Sequence, residues 1–259
     1  MESSLSTNLH GKRGLVVGIA NASSIAAGCA RAFVAAGASI AATYLNEKSL
    51  PYVRPVTEAL GCTLLLPCDV RIPGQLEAAF ARIGTEWGEL DFLLHAIAFA
   101  PADDLHGRVV DCSAAGFGLA MDVSCHSFLR MARLAEPLMA KGGSLLTVTF
   151  YGSERVVAHY NLMGPVKAAL ESAVRYTAAE LGPKQIRANA ISPGPISTRA
   201  ASGIAHFDEL LAAEAAAAPE HQLVDIEDVG ALAAFLVSDG ARRITGTIIP
   251  VDGGQHVIA

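Results

Sequence analysis

Seven short apolar runs alternate along the chain with longer segments of helical periodicity. The runs are continuously apolar, which indicates strands that are covered on both faces of a parallel sheet. The predicted strands are Arg13–Val17, Ser39–Tyr44, Thr63–Leu66, Phe92–Ala96, Leu145–Val148, Arg187–Ile191 and Thr247–Val251. The predicted helices are Ser24–Ala36, Leu50–Leu60, Gln75–Trp87, Ala114–Met139, Tyr160–Leu181 and Ile226–Val237. This order predicts a doubly wound α/β fold with a seven-stranded parallel sheet and helices on both faces.

Length and composition favour a single domain over residues 1–259. A chain of 259 residues, 52% of them hydrophobic, is long enough for one large α/β core and short for two. One alanine-rich segment, at about residues 193–223, interrupts the alternation of strands and helices. We interpret it as a helical lid over a substrate site, because insertions of this length are usually functional; a plain helical insertion is the alternative.

Charge and cysteine content exclude several classes of protein. A formal net charge of −6 provides no basic surface for nucleic acid. No apolar stretch reaches the roughly 20 residues of a membrane-spanning helix, and the N-terminal residues lack the features of a signal peptide, so we expect a cytoplasmic protein. Five cysteines without a C-x-x-C pair indicate reduced thiols and no metal site.

The turn after the first predicted strand has features of a phosphate-binding site. Gly18 ends the strand and a helix is predicted to begin near Ser24, so backbone amides can approach a pyrophosphate. Ala20 stands where a Rossmann fingerprint has its second glycine, and Ser24 could be an ordinary N-cap. Because a strand precedes the turn and a helix follows it, we predict Rossmann-type dinucleotide binding by Gly18, Ala20, Ser24 and Ile25.

Further cofactor-binding residues are predicted where later strands end at the same edge of the sheet. Asp69 and Val70 follow the third strand, and a carboxylate there suits an adenine amino group, although an ordinary acidic residue at a helix N-terminus is the alternative. Ala96, Ile97 and Ala98 follow the fourth strand, and residues this small allow a cofactor to lie against the backbone.

The residues after the second predicted strand bear on the choice between NADH and NADPH. Free ribose hydroxyls accept an acidic or amide partner, whereas a 2′-phosphate requires a basic one. Asn46 and Glu47 therefore favour NADH. Lys48 weakens that preference without reversing it, so NADPH remains the less favoured cofactor.

Tyr160 and Lys167 are the residues that indicate the chemistry most directly. Seven residues on a helix correspond to about 700° of rotation, which places the phenol and the amine on one face about two turns apart. The lysine can then reach the space beside the phenol. The alternative is a core tyrosine and an unrelated surface lysine.

Four segments together resemble a known family. They are Gly18 to Gly28, Leu94 to Pro101, Tyr160 to Ala168 and Ile191 to Ile204. These segments are similar to the NADH-dependent enoyl-acyl-carrier-protein reductases of bacterial fatty-acid synthesis, a divergent branch of the short-chain dehydrogenase/reductases. The likeness covers Gly11 to Val257. Most of that superfamily has Tyr-x-x-x-Lys, but here Gly164 takes that lysine position, and the longer spacing separates enoyl reductases from carbonyl reductases.

The resemblance implies transfer of hydride from the nicotinamide to C3 of a trans-2-enoyl thioester. Tyr160 would donate a hydrogen bond to the carbonyl oxygen as negative charge builds there, and Lys167 would hold the nicotinamide ribose hydroxyls. Lys167→Ala is then expected to weaken cofactor binding as well as turnover. Gly194, Ile196 and Thr198 would contact the nicotinamide end.

The resemblance also implies an apolar acyl site, a protein partner and an assembly. The substrate contacts would be Phe99, Ala100, Phe150, Tyr160, Ala200, Ala201, Ile204 and Phe207. The partner would be an acyl carrier protein, for which Arg199, Arg242 and Arg243 are candidate basic contacts. The assembly would be a homotetramer, formed through the alanine-rich helices Ala114–Met139 and Tyr160–Leu181.

Two positions depart from the family pattern. Phe150 stands where the family usually has a second tyrosine, so a proton-relay role there is absent. Tyr151 is not expected to substitute, because a shift of one residue on a strand turns the side chain to the other face. Pro165 requires that the helix begin near Gly164 or be kinked.

Two other functions stay open at this point. One is a related reductase that acts on a non-carrier enone or a ketone. The other is a catalytically silent dinucleotide-binding regulator, which would bind NADH without oxidising it.

Overall fold

The computed structural model describes residues 7–198 and 207–258, and its strands form one parallel sheet in the order β3-β2-β1-β4-β5-β6-β7. The strands are Arg13–Val17 (β1), Ser39–Tyr44 (β2), Leu64–Pro67 (β3), Phe92–His95 (β4), Gly143–Val148 (β5), Ile186–Pro193 (β6) and Ile248–Val251 (β7). The predicted seven-stranded, doubly wound sheet is therefore confirmed, with strand ends that differ by one or two residues.

The helices lie on both faces of the sheet. They are Ile25–Ala35 (α1), Leu50–Ala59 (α2), Gln75–Trp87 (α3), Ala102–Leu105 (α4), Ala114–Met121 (α5), Ser127–Ala135 (α6), Met163–Leu181 (α7), Phe207–Ala217 (α8) and Ile226–Val237 (α9). In β1, Leu15 and Val17 face the core formed with α3, α6 and α7, whereas Val16 faces the core formed with α1 and α9. Both faces of β1 are thus buried, as its continuous apolar run indicates.

Helices α1 and α9 pack closely because two glycines meet. A Cβ atom on Gly28 would overlap the carbonyl oxygen of Ile226, and one on Gly230 would lie 2.7 Å from the carbonyl oxygen of Gly28. Asp225 caps α9 by accepting hydrogen bonds from the backbone N–H groups of Glu227 and Asp228. This packing fixes the position of α1, whose N-terminus follows the Gly18 turn.

Two predicted helices differ in the structure. The span Ala114–Met139 consists of α5, a π-helix at Asp122–His126, α6 and a short 3₁₀ turn. The predicted helix Tyr160–Leu181 begins only at Met163. The residues on either side of Tyr160 have positive φ angles, 63° at His159 and 43° at Asn161, which a right-handed helix does not allow. The prediction that Tyr160 and Lys167 share one face of one helix is therefore wrong.

Pro165 is accommodated in the first turn of α7. It is the third residue of α7, where its missing N–H is one of the groups that have no partner inside the helix. The expectation that the helix begins near Gly164 is confirmed.

The segment near residues 193–223 contains a helix, as predicted. Strand β6 ends at Pro193, and α8 occupies Phe207–Ala217. Its role as a substrate lid stays a prediction.

The described residues contain five free cysteines and no group of side chains arranged to hold a metal ion. Within the same ranges, none of the helices is both long and apolar enough to cross a membrane.

Candidate active site

A cleft lies at the carboxyl edge of the sheet, where the order of the strands reverses between β1 and β4. Two cavities open there, with volumes of about 500 Å³ and about 470 Å³. Both are bounded by Ala96, Ile97, Ala98 and Phe99, so they are neighbouring parts of one groove. We call the one beside Asn46 the first cavity and the one beside Tyr160 the second cavity.

The first cavity brings together residues that are distant in sequence. Of the predicted cofactor contacts it includes Gly18, Ala20, Asn46, Asp69, Val70 and Ala96 to Ala98. It also includes Lys48, which was considered for the choice of cofactor, and residues that the sequence analysis missed, namely Val17, Ile19, Thr43, Leu45, Ser49, Tyr52, Cys68, Arg71 and Val123. Five of these directly adjoin a predicted residue, and that adjacency is the signal that could have found them; they are Val17, Ile19, Leu45, Cys68 and Arg71.

Asp69 is held in place by Arg71. The guanidinium donates to both carboxylate oxygens, with Nη2 to Oδ2 at 2.7 Å and Nε to Oδ1 at 2.9 Å. These hydrogen bonds lower the pKa of Asp69, against the effect of its partial burial. Arg71 also lies over the Phe99 ring, 5.6 Å from its centroid. Asp69 is thus an ionised cavity residue with a fixed position rather than an ordinary acid at a helix N-terminus.

The loop after β2 presents an amide to the first cavity. The Oδ1 atom of Asn46 accepts a hydrogen bond from the Ser49 N–H at 3.1 Å, which leaves the Asn46 amide nitrogen as a donor. Glu47 does not line the cavity; its carboxylate accepts a 3.3 Å hydrogen bond from the Tyr44 hydroxyl. Of the two residues that favour NADH, only Asn46 is therefore placed at the site, beside Lys48.

Ser24 stabilises the turn after Gly18 by a hydrogen bond inside the turn. Ser24 Oγ donates to the Asn21 carbonyl oxygen at 2.8 Å and makes no hydrogen bond to the first turn of α1. It lines neither cavity and supports the turn instead, so its predicted cofactor contact stays a prediction. Gly18 itself has a φ of 121°, and a Cβ atom there would overlap the carbonyl oxygen of Ala96. The backbone of β1 and β4 therefore meets at the base of the groove.

The second cavity contains both predicted catalytic residues. With Tyr160 and Lys167 it brings together the predicted contacts Ile25, Ala96 to Ala98, Phe99, Ala100, Phe150, Gly194, Ile196 and Thr198. Further lining residues are Ala102, Leu105, His106, Val148, Thr149, Met163, Pro193 and Pro195. Three of these belong to α4 or follow it directly, and the sequence analysis did not predict that helix. Pro101 followed by two aspartates is a helix-start signal that could have found it.

Tyr160 is presented by a turn and is almost fully buried, with 8% of its surface exposed. Its carbonyl oxygen accepts a hydrogen bond from the Met163 N–H at 3.0 Å, which joins the turn to α7. Burial, followed by the negative charge of Glu171, raises the pKa of the phenol. The hydroxyl therefore stays protonated and can act as a hydrogen-bond donor to a bound oxygen.

Lys167 is 6% exposed on α7, and its Nζ donates a 2.7 Å hydrogen bond to the Val148 carbonyl oxygen. Burial lowers the pKa of Lys167 to about 8, although the negative charge of Glu171 opposes this shift. Burial and the nearby Lys167 lower the pKa of His95 to about 3, so His95 is neutral. Of these two neighbouring bases, Lys167 is therefore the one that carries the positive charge.

Phe150 lines the second cavity and contacts Tyr160, with ring centroids 4.8 Å apart at 64°. Tyr151 lines neither cavity, as expected. The reason differs from strand alternation, because β5 ends at Val148 and Tyr151 begins a 3₁₀ turn. The phenyl ring of Phe150 offers no proton to a substrate, so Tyr160 supplies the phenol in the described lining of this cavity.

Several predicted residues are not placed at the site. Ala200, Ala201, Ile204 and Arg199 lie outside the described residues, and Phe207 begins α8 with its substrate contact still a prediction. Arg242 and Arg243 precede β7 near the start of β6, where the Gly246 N–H bonds to the Ala188 carbonyl oxygen. The site lies at the opposite ends of these parallel strands, so these two arginines are not at the site and their contact with the carrier stays a prediction.

Comparison with known proteins agrees with this geometry. The sequence model of the family described as enoyl-(acyl carrier protein) reductase matches residues 18–256. The chain belongs to this family. A relative from Rhizobium meliloti, named enoyl-acyl-carrier-protein reductase (NADH) 1, is 45% identical over 96% of this chain and 92% of its own length.

Two solved structures of enoyl-acyl-carrier-protein reductases have the same fold. That of Anaplasma phagocytophilum, in complex with NAD, has a TM-score of 0.93 and 46% identity, covering 97% of this chain and 96% of its own. That of Bacillus cereus, with NADP⁺ and an indole naphthyridinone, has a TM-score of 0.95 and 44% identity, covering 97% and 98%.

Proposed function

We propose that this enoyl-acyl-carrier-protein reductase reduces the trans-2 double bond of enoyl thioesters with NADH. The observation that carries the proposal is the common groove: Tyr160 and Lys167 line a cavity that shares the Ala96–Phe99 wall with the first cavity. A dinucleotide and a thioester can therefore meet beside the phenol.

The groove fits a dinucleotide along its whole length. Asn46 and Asp69 offer polar groups to the adenosine end in the first cavity, and the close approach of Gly18 to Ala96 leaves only backbone at the base of the groove. The ammonium of Lys167 suits the ribose hydroxyls at the other end. When bound, NADH supplies the hydride for C3 of the enoyl group.

The residues of the second cavity then stabilise the negative charge that develops on the thioester carbonyl oxygen. The Tyr160 hydroxyl donates a hydrogen bond to the carbonyl oxygen and stabilises the enolate, and burial strengthens this interaction because water is excluded. The positive charge of Lys167 favours negative charge nearby. The apolar side chains of Phe150, Met163 and Ile196 suit an acyl chain.

The assay that tests this function follows NADH consumption with crotonyl and dodecenoyl thioesters, and with simple ketones for comparison. We expect oxidation of NADH with the enoyl thioesters and none with the ketones. Activity on ketones or free enones alone would support the other reductase, and binding of NADH without turnover on any thioester would support the silent regulator.

The cytoplasmic placement and the acyl carrier protein partner belong to the same proposal. A substrate carried by a soluble carrier protein fits the second cavity, which opens at the carboxyl edge of the sheet. Arg199 stays a candidate contact for the carrier.

The proposed assembly is a homotetramer formed through α5, α6 and α7. Phe117, Leu129 and Tyr176 on these helices are exposed, with Tyr176 at 70%, and an interface between subunits would cover them. Light scattering should give about four times the 26.8 kDa mass of one chain. A mass equal to that of the monomer would contradict this assembly.

A further inference from the structure

A buried carboxylate lies behind the second cavity. Glu171 is 4% exposed and lines neither cavity. Its Oε1 atom accepts hydrogen bonds from the Thr149 hydroxyl at 2.7 Å and from the Ser153 hydroxyl at 2.5 Å. Both donors belong to the segment Val148–Ser153, which leads from β5 towards the Tyr160 turn. Glu171 therefore joins this segment to α7.

The same segment contacts both catalytic residues. Val148 accepts the hydrogen bond from Lys167 Nζ, and the Phe150 ring lies against the Tyr160 ring. A Cβ atom on Gly152 would be 2.6 Å from Cδ1 of Tyr160, so the Tyr160 ring rests directly on the backbone of Gly152. If Val148–Ser153 were displaced, the groups that contact Tyr160 and the carbonyl oxygen that binds Lys167 would therefore move together.

Glu171 is also the negative charge next to Lys167. The two residues are four positions apart on α7 and lie on the same face of the helix. Around Lys167 the structure also places Cys125 from the π-helix, His95 from β4 and the Tyr160 phenol. Burial raises the pKa values of the thiol and the phenol and lowers that of His95, so all three are neutral.

We propose that Glu171 is a positioning residue of the reductase: its carboxylate keeps Lys167 protonated and holds Val148–Ser153 against Tyr160. The proposal rests on the proposed function, because it assigns to Lys167 the binding of the nicotinamide ribose. Without this carboxylate the buried amine would lose its proton at a lower pH.

The variant Glu171→Gln separates charge from hydrogen bonding. The amide oxygen can still accept from Thr149 and Ser153, but the negative charge is gone. In the wild type, NADH affinity should fall as the pH rises through about 8, where Lys167 loses its proton. In Glu171→Gln this fall should begin about one pH unit lower, because an opposite charge nearby raises an amine pKa by roughly that much. Fluorescence titration with NADH over a range of pH measures both curves.

Ser153→Ala is the matched control. It removes one hydrogen bond to Glu171 and keeps the charge, so we expect a lower melting temperature and a wild-type pH dependence of NADH binding. Glu171→Asp also keeps the charge, and we expect its pH dependence to stay near that of the wild type, even if Glu171→Gln does not fold.

Three results would overturn the proposal. They are a pH dependence of Glu171→Gln that superimposes on the wild type, an equal shift in Ser153→Ala, or an equal shift in Glu171→Asp. A wild-type protein that binds NADH but reduces no enoyl thioester would contradict the proposed function instead, while the binding curves would still decide the role of Glu171.

Discussion

Replacing Tyr160 with phenylalanine should lower kcat for enoyl thioesters by about a hundredfold or more, because removal of one donor to a developing oxyanion typically destabilises the transition state by roughly 3 kcal/mol. The phenol is buried and its pKa is raised, so in the wild type it is a protonated donor at every working pH. Phe150 cannot replace it, since its ring carries no hydroxyl. NADH binding should change little, because the first cavity and Lys167 are untouched.

Steady-state kinetics with a dodecenoyl thioester, together with NADH titration, measure this effect. Tyr176→Phe is the control: it removes a phenol hydroxyl from α7 but keeps the ring at the proposed subunit interface, and Tyr176 lines neither cavity, so we expect wild-type kinetics. If Tyr160→Phe kept wild-type kcat, another group would have to stabilise the enolate. An equal fall in kcat for Tyr176→Phe would instead indicate a general effect on structure.

Much of the fold follows from the sequence because parallel strands buried on both faces need continuous apolar runs. Leu15 and Val16 face opposite cores and are both fully buried, so the run around them could be recognised without any knowledge of its neighbours. The ends of the helices and strands were predicted less accurately. Strand β6, for example, extends to Pro193, where pairing with Val251 of β7 decides the boundary and the local sequence does not.

The site was predicted where it depends on strand ends and missed where it depends on contacts distant in sequence. Gly18, Asp69 and Ala96 follow strands, and the sheet brings strand ends together whatever the side chains are. Glu171 acts through hydrogen bonds to Thr149 and Ser153, which precede it by 22 and 18 residues, and no spacing in the sequence indicates such bonds.

The Tyr160 and Lys167 pair shows how a correct site can rest on a wrong local structure. Both residues line the second cavity, but Tyr160 belongs to a turn between two residues with positive φ rather than to the helix that carries Lys167. Histidine and asparagine tolerate that backbone conformation better than most residues, and His159 and Asn161 are the signal that could have indicated the turn. Tertiary contacts stabilise it: the Asn161 amide donates to the Leu105 carbonyl oxygen at 2.8 Å.

Gly18→Ala should weaken NADH binding more than tenfold and lower the free energy of unfolding by about 2 kcal/mol or more. The φ of 121° at Gly18 is unfavourable for any residue with a Cβ atom, and the added methyl group would overlap the Ala96 carbonyl oxygen. Relief of that overlap requires β1 and β4 to separate where Gly18 and Ala96 line the first cavity. Titration with NADH and chemical denaturation measure the two effects.

Gly84→Ala is the matched control for the same chemical change. Gly84 lies within α3, and its added Cβ atom would be 3.4 Å from Cδ2 of Leu138, an ordinary van der Waals distance. Alanine is favoured over glycine inside a helix by about 1 kcal/mol, so this variant should be at least as stable as the wild type and bind NADH equally well. Wild-type NADH affinity in Gly18→Ala would show that the groove does not depend on the close approach of β1 and β4. An equal loss of NADH affinity in Gly18→Ala and Gly84→Ala would also contradict this dependence on the approach of β1 and β4. Of the two glycines, only Gly18 lies at the base of the groove.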